Sequence, residues 1–225
     1  MRKIITVDGP AGAGKSTVSR LLAKKLQIFY LDTGAMYRAV ALQAKREGID
    51  IDDTERLAEL CRNLDLHFKT VGEENRLFIG NKDISLAIRS PEMDMLSSRI
   101  SAVKEVREAM TELQRKIGRE GGVVAEGRDM GTVVFPDADH KFFMTALAEV
   151  RAERRYLERM NRGESVSRAE VEIELRKRDD QDANRAIAPL LIAEDAKVID
   201  TSALSPDQVV EIVLTEIKDG RTRTV

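Results

Sequence analysis

The sequence predicts an α/β fold: a parallel sheet flanked by helices, with an inserted small α+β subdomain and a helical lid. Three observations predict it. Short apolar runs rich in β-branched residues alternate with segments whose apolar residues recur at helical spacing, the pattern of buried parallel strands joined by crossover helices. One such strand runs straight into a glycine-rich turn and then a helix, in "VDGPAGAGKST" from Val7 to Thr17. The alternation breaks once, where "LDLHF" and "RLFI" flank turn residues as neighbouring strands would.

Taken in order, Ile4–Val7 is the first strand, and Val18, Leu21, Leu22 and Leu26 make Lys15–Leu26 a helix. Ile28–Leu31 is a second short strand, and "DTGAMYRAVALQAKREG" a loop feeding a helix that Gly48 stops. A further helix starts from Asp52, with Asp52 and Glu55 spaced as a capping box. Leu64–Phe68 and Arg76–Ile79 are short strands around "VGEEN", and "GNKD" is another turn. "SPEMDMLSSRIS" and "AVKEVREAMTELQRKIG" are helical. Val123–Ala125 is a strand ending at "EGRDMG", and Lys141–Thr145 is another. Leu147–Asn161 is an arginine-rich helix, "RGESVS" a turn, and Arg168–Arg178 a second helix. Val198–Ile199 is the last strand before "LSPDQVVEIVLTEIKDG". There Ser205 caps, Pro206 takes the first helical position and Gln208 closes the box. The tail after Gly220 is expected to fray. The expected division is a core of residues 1–34, 120–146 and 188–220, an arm of residues 35–119 with its insert at about 65–95, and a lid at about 151–167.

With 225 residues the chain can bury a real core without staples. The 37 basic and 39 acidic residues leave a net charge of −2, which argues against a nucleic-acid polymer as partner. Any positive charge that holds phosphates must therefore be placed locally. The single cysteine, Cys61, excludes an internal disulfide and reads as a small core residue. The apolar run Ile4–Val7 is too short for a signal peptide, and no segment approaches the ~18 apolar residues that span a bilayer. A cytoplasmic protein with no membrane association, and a monomer, is expected.

Gly9, four residues, Gly14, Lys15 and Ser16 fit G-x-x-x-x-G-K-[ST], the phosphate loop of a P-loop NTPase-type fold. Across Gly9, Pro10, Ala11, Gly12, Ala13 and Gly14, glycines let backbone N–H groups turn onto phosphates, and the helix from Lys15 through Ser16 and Thr17 presents its positive end. Lys15 reaches the terminal phosphates, and the Ser16 hydroxyl can ligate Mg²⁺. A GTPase switch would also need D-x-x-G and N-K-x-D. The first is absent, and "NKDI" at Asn81–Ile84 brings its aspartate one residue early. A small-molecule kinase needs a second anion site, and arginine suits it. Candidates are Arg38, Arg107, Arg128, the run Arg151, Arg154, Arg155, and Arg178 and Arg185.

"GPAGAGKST", "LDTGAMYR", "AEGRDMGTVVFPDAD" and "KRDDQDANRAIAPL", in this order and with the insert where it stands, resemble the bacterial cytidylate kinases, a branch of the nucleoside monophosphate kinases. Adenylate kinases carry "DGFPR" where this chain reads "EGRDM", and the D-R-[YFH] of thymidylate kinases is absent. The resemblance implies transfer of the γ-phosphoryl group of ATP to CMP or dCMP, with Mg²⁺. It implies that Thr33, Tyr37, Arg38 and Arg128 flank the acceptor phosphate, that Ser98, Arg107 and Asp129 read cytosine, and that Arg178, Asp182 and Arg185 meet sugar and phosphate. The catalytic set is Lys15, Arg38 and Arg128, and Arg154 and Arg155 join the phosphate loop on ATP. Thr33 and Ser16 stand where other small residues can occur in the family. The residues themselves leave alternatives: another P-loop small-molecule kinase, or a nucleotide-dependent switch. They also leave Asp129 open as a helix cap and "RDDQDANR" as a solvated helix end. His67 and His140 read as structural. A general base is unnecessary, since a nucleoside monophosphate with a second pKa near ~6 is already ionised.

Overall fold

Burial of Ile5, Val7 and Asp8 follows from the central place of β1 (Ile4–Asp8) in a computed structural model that describes residues 3–72 and 74–220. β1 pairs in parallel with β6 (Val123–Glu126) on one side and β7 (His140–Thr145) on the other, and β7 pairs in parallel with β8 (Lys197–Asp200). With β2 (Phe29–Asp32) at the far edge, the five-stranded order is β2-β6-β1-β7-β8. The register sets Val7 beside Glu126 and Phe142, and Asp8 beside Phe143. Asp8, Glu126 and Thr145, the last residues of their strands, therefore share the carboxyl edge, where ligands bind in such sheets.

α1 (Lys15–Leu26) and α8 (Pro206–Asp219) pack against each other and bury one face of the sheet. Val18, Leu22 and Ala23 of α1 and Val209, Val210, Val213 and Ile217 of α8 close on Ile5, Val7, Val124, Phe142, Met144 and Ile199. Each such side chain contributes roughly 1.5–3 kcal/mol, so this cluster anchors the fold. α8 opens with the expected capping box: Ser205 accepts from Gln208 N, and Gln208 reaches back to Ser205 N.

The chain divides into two units, one of residues 1–31 with 120–225 and one of Asp32–Arg119. In the second unit α2 (Thr33–Arg46) packs on α4 (Pro91–Ile100), and α3 (Thr54–Asn63) on α5 (Lys104–Gly118). A three-stranded antiparallel sheet of β3 (Leu66–Val71), β4 (Glu74–Ile79) and β5 (Lys82–Asp83) stands where two strands were expected, "KD" of the expected turn forming the third. Cys61 is buried, and burial pushes its thiol up to about 11, as a core residue requires.

Several boundaries differ from expectation. No loop precedes α2: Asp32 ends β2 and caps the helix at once, its carboxylate accepting from Ala35 N. Asp53, not Asp52, caps α3, because its side chain accepts from Arg56 N. The helix predicted to end at Arg178 runs on as α7 (Arg168–Asn184), for nothing in "DDQDAN" breaks it and burial of Asp182 holds its last turns. A π-helical turn, Met130–Val134, follows β6 where only a loop was read. The tail after Gly220 and Glu73 of the "VGEEN" turn lie outside the described residues.

α6 (Ala148–Asn161) and α7 pair around a small separate core. Ala152, Val171 and Leu175 are its buried apolar residues, with Tyr156, Val166 and Ala11 of the glycine loop packed alongside. Ser167 and Glu170 form a full capping box at the start of α7.

Candidate active site

The loop between β1 and α1 is held in one shape by its glycines. A Cβ on Gly9 would overlap the Met144 carbonyl oxygen, and one on Gly12 would come within 2.9 Å of the Arg151 carbonyl oxygen. Both residues also adopt left-handed φ, 141° and 78°. Gly14, at φ 85°, caps α1 without a side chain, so the helix offers bare N–H groups to an anion. Lys15 Nζ donates to Pro10 O at 2.7 Å, which folds the ammonium back over the loop. Burial, with Arg128 and Arg178 near it, draws Lys15 down to about 7 against the opposing pull of Glu126 and Asp182. Ser16 Oγ donates to Glu126 Oε1 at 2.7 Å.

Around this loop the first unit gathers guanidinium groups. Arg128 Nε donates to Asp182 Oδ2 at 2.6 Å, and Arg185 lies between Asp182, at 4.0 Å, and Asp129, at 3.3 Å. Arg185 Nε also donates to Ala188 O at 2.5 Å, a carbonyl presented by a left-handed alanine at φ 50°. Burial opposes the charged form of Asp182, yet Arg128, Arg178 and Arg185 hold its carboxyl below the usual range. Arg151 bridges Ala11 O and Asp179 Oδ2 at 3.1 and 2.6 Å. Arg154 donates to Thr201 Oγ1 and O, and the Thr201 hydroxyl donates on to Ala13 O or Thr145 O. Arg155 turns along its own helix to Glu158 at 2.7 Å.

In the second unit Arg38 lies between Asp32 and Asp94, at 3.5 and 3.6 Å, and Asp32 also meets Arg89 at 3.6 Å. Arg107, 3% exposed, donates to Ser101 O at 2.9 Å and stands 5.4 Å from the centre of the Tyr37 ring. Thr33 and Tyr37 are buried in the first turns of α2, and Ser98 is half-buried on α4.

Over residues 5–219 the chain matches the family described as cytidylate kinase. It is 51% identical to the cytidylate kinase of Citrifermentans bemidjiense, over 96% of this chain and 93% of that one, and 50% identical to that of Geobacter sp. (strain M21) over the same shares. The chain belongs to the cytidylate kinase family. Its fold is similar to that of shikimate kinase from Acinetobacter baumannii in complex with shikimate, with a TM-score of 0.50 at 15% identity over 100% of this chain and 97% of the other.

Of the residues singled out in the sequence of this family member, Lys15, Ser16, Arg128, Asp129, Arg178, Asp182 and Arg185 fall into one charge-coupled group. Arg154 joins the loop through Thr201, and Arg155 pairs with Glu158 on its own helix. Four participants were not foreseen: Asp8, Glu126, Asp179 and Thr201. Asp8 and Glu126 had a legible signal, since each is a carboxylate at the end of a strand flanking the phosphate loop. Asp179 and Thr201 are recognisable only through their partners. Among the described residues no group of three or more His, Cys, Asp or Glu could hold a metal ion. A hydroxyl backed by one carboxylate nevertheless fits Mg²⁺, which takes few protein oxygens and fills its shell with water and phosphate.

Proposed function

We propose that this chain transfers the γ-phosphoryl group of ATP to CMP or dCMP, giving ADP and CDP or dCDP. The observation that carries the reading is the coupling of Lys15 on the glycine loop to the Arg128–Asp182–Arg185–Asp129 chain. A site for one nucleotide has no use for a second group of fixed cations. A phosphoryl acceptor has, because two unit charges about 4 Å apart repel by roughly 4 kcal/mol near a protein surface.

In this reading the amides of Gly9–Thr17 and the Lys15 ammonium hold the donor's phosphates, and Arg154 and Arg155 act on ATP. Arg128, Thr33, Tyr37 and Arg38 act on the acceptor phosphate. Ser98 and Arg107 donate to the acceptors of cytosine, and Asp129 accepts from its amino group. Arg178, Asp182 and Arg185 act on sugar and phosphate. Uracil presents an oxygen where cytosine has its amine, so Asp129 repels it.

Ser16, with Glu126 behind it, would hold Mg²⁺, which neutralises charge on the donor's phosphates when bound. No side chain need remove a proton, because the attacking phosphate oxygen is ionised at neutral pH. His67 stacks on Phe78 and His140 meets Lys3, which supports structural roles for both. Catalysis is alignment and charge stabilisation by Lys15, Arg38 and Arg128. The α6–α7 pair serves as the lid that excludes water. The small core under it supports that role, because few buried apolar side chains resist its movement. A monomer acting in the cytoplasm completes the proposal. Among the described residues no helix is long and apolar enough to cross a membrane.

The test is ADP release with nucleoside monophosphates, shikimate or water alone as acceptor. Stimulation by CMP and dCMP above all others is expected. ATP hydrolysis indifferent to every acceptor overturns the reading.

A further inference from the structure

Asp129 occupies the N-cap position of the π-helical turn Met130–Val134, where an aspartate would ordinarily cap its own turn, yet its side chain makes no capping bond. Its carboxylate goes to Arg185, at 3.3 Å. The capping comes from the far end of the sequence. Asp8 Oδ1 accepts from Met130 N at 2.9 Å and Asp8 Oδ2 from Gly131 N at 2.7 Å. These first amides of the turn have no partner within it, and a carboxylate satisfies both where a hydroxyl or an amide side chain satisfies one. The fit is close: a Cβ on Gly131 would stand 3.4 Å from Asp8 Oδ2 and 3.1 Å from Thr6 Oγ1.

We infer that Asp8 is a positioning residue for base recognition: by capping the 130–134 turn it keeps the Asp129 carboxylate turned outward, toward Arg185, instead of back onto its own amides. This rests on the reading that Asp129 accepts from the cytosine amine. Asp8 ends the strand that leads into the phosphate loop, and Arg128 and Asp129 lie immediately before the amides it holds. Without this long-range cap the two amides draw the Asp129 side chain back into the ordinary N-cap role. The base-reading group is then lost although no residue that touches the nucleotide has changed.

Asp8→Asn offers one amide an acceptor and opposes the other with an NH₂ group, and Asp8→Ser keeps a single acceptor. Wild type and both variants are assayed with CMP and UMP at saturating ATP, then with ATP varied, after thermal melts confirm folding. The loss of one buried hydrogen-bonded acceptor corresponds to about tenfold or more, so the CMP:UMP ratio of kcat/KM should narrow by that factor in both variants. KM for ATP should stay within about threefold of wild type, on the same scale of effects. A wild type that prefers CMP beside a folded variant with an unchanged CMP:UMP ratio overturns the role of Asp8 alone. A general loss in which KM for ATP rises in proportion overturns it too. A wild type with no preference for CMP overturns the acceptor reading and this inference with it. If neither variant folds, amide exchange in the wild type decides. Protection of Met130 and Gly131 equal to that of β1, together with deeper protection on adding CMP, supports the inference, and loop-like exchange overturns it.

Discussion

Burial of the Lys15 ammonium costs the fold stability. Its pKa in the folded chain is drawn down to about 7 from 10.5, so between those values the unfolded chain binds the proton more tightly. The penalty is complete below pH 7 and is relieved as pH rises toward 10.5, so stability from this residue increases with pH across that window. Lys15→Met removes the penalty. It should raise Tm at pH 7 by roughly 5 °C or more, flatten the rise of Tm between pH 7 and 10, and lower kcat on the order of 10³-fold. Thermal melts across that pH range and steady-state assays check both, and a less stable variant would mean that Lys15 is better satisfied than its surroundings imply. Asp129→Ala belongs to the same scale. It should relax discrimination against UMP by about 10- to 100-fold, the cost of one buried polar mismatch. Equal preference in variant and wild type would remove Asp129 from base recognition. Lys15 and Ser16 were legible because their spacing is itself the motif. The place of Asp8 at a strand end was legible but its role was not, because its partners lie 122 and 123 residues away.

Helix ends were well encoded where the cap is local. Ser205, Pro206 and Gln208 sit where the sequence put them, and Ser205→Ala should lower Tm by roughly 2–4 °C, about 1 kcal/mol in a chain of this size. The end of α7 was not so encoded. Local sequence left "RDDQDANR" open as a solvated helix end, but Asp182 is buried against Arg128, and that pair carries the helix past Arg178. The π-helical turn was hidden for the same reason, since its cap comes from another strand. The buried apolar contact between α6 and α7 centres on Ala152, Val171 and Leu175, beside the ion pairs Arg151–Asp179 and Arg159–Glu174. Leu175→Ala should therefore speed amide exchange throughout this pair by at least about tenfold, while β1, β6 and β7 keep their protection. Uniform acceleration across all of them would mean that the pair unfolds only with the sheet.

At the scale of the whole molecule, stability should depend on which nucleotide is present. Saturation at about 100 times Kd adds roughly 2.7 kcal/mol. CMP at such a level should raise Tm by roughly 5–10 °C, and UMP at the same concentration by much less. Equal shifts from the two nucleotides, measured by thermal melts, would remove the basis for pyrimidine selection. The sequence by itself determined the parallel α/β class, the phosphate loop, most strand and helix positions and the family, because period, glycine placement and motif spacing are properties of neighbouring residues. The tertiary structure decided which carboxylates serve those motifs: Asp8 on the 130–134 turn, Glu126 on Ser16, Asp182 on Arg128. Those choices depend on strand register and on where a buried charge finds its partner, and neither is a function of nearby sequence.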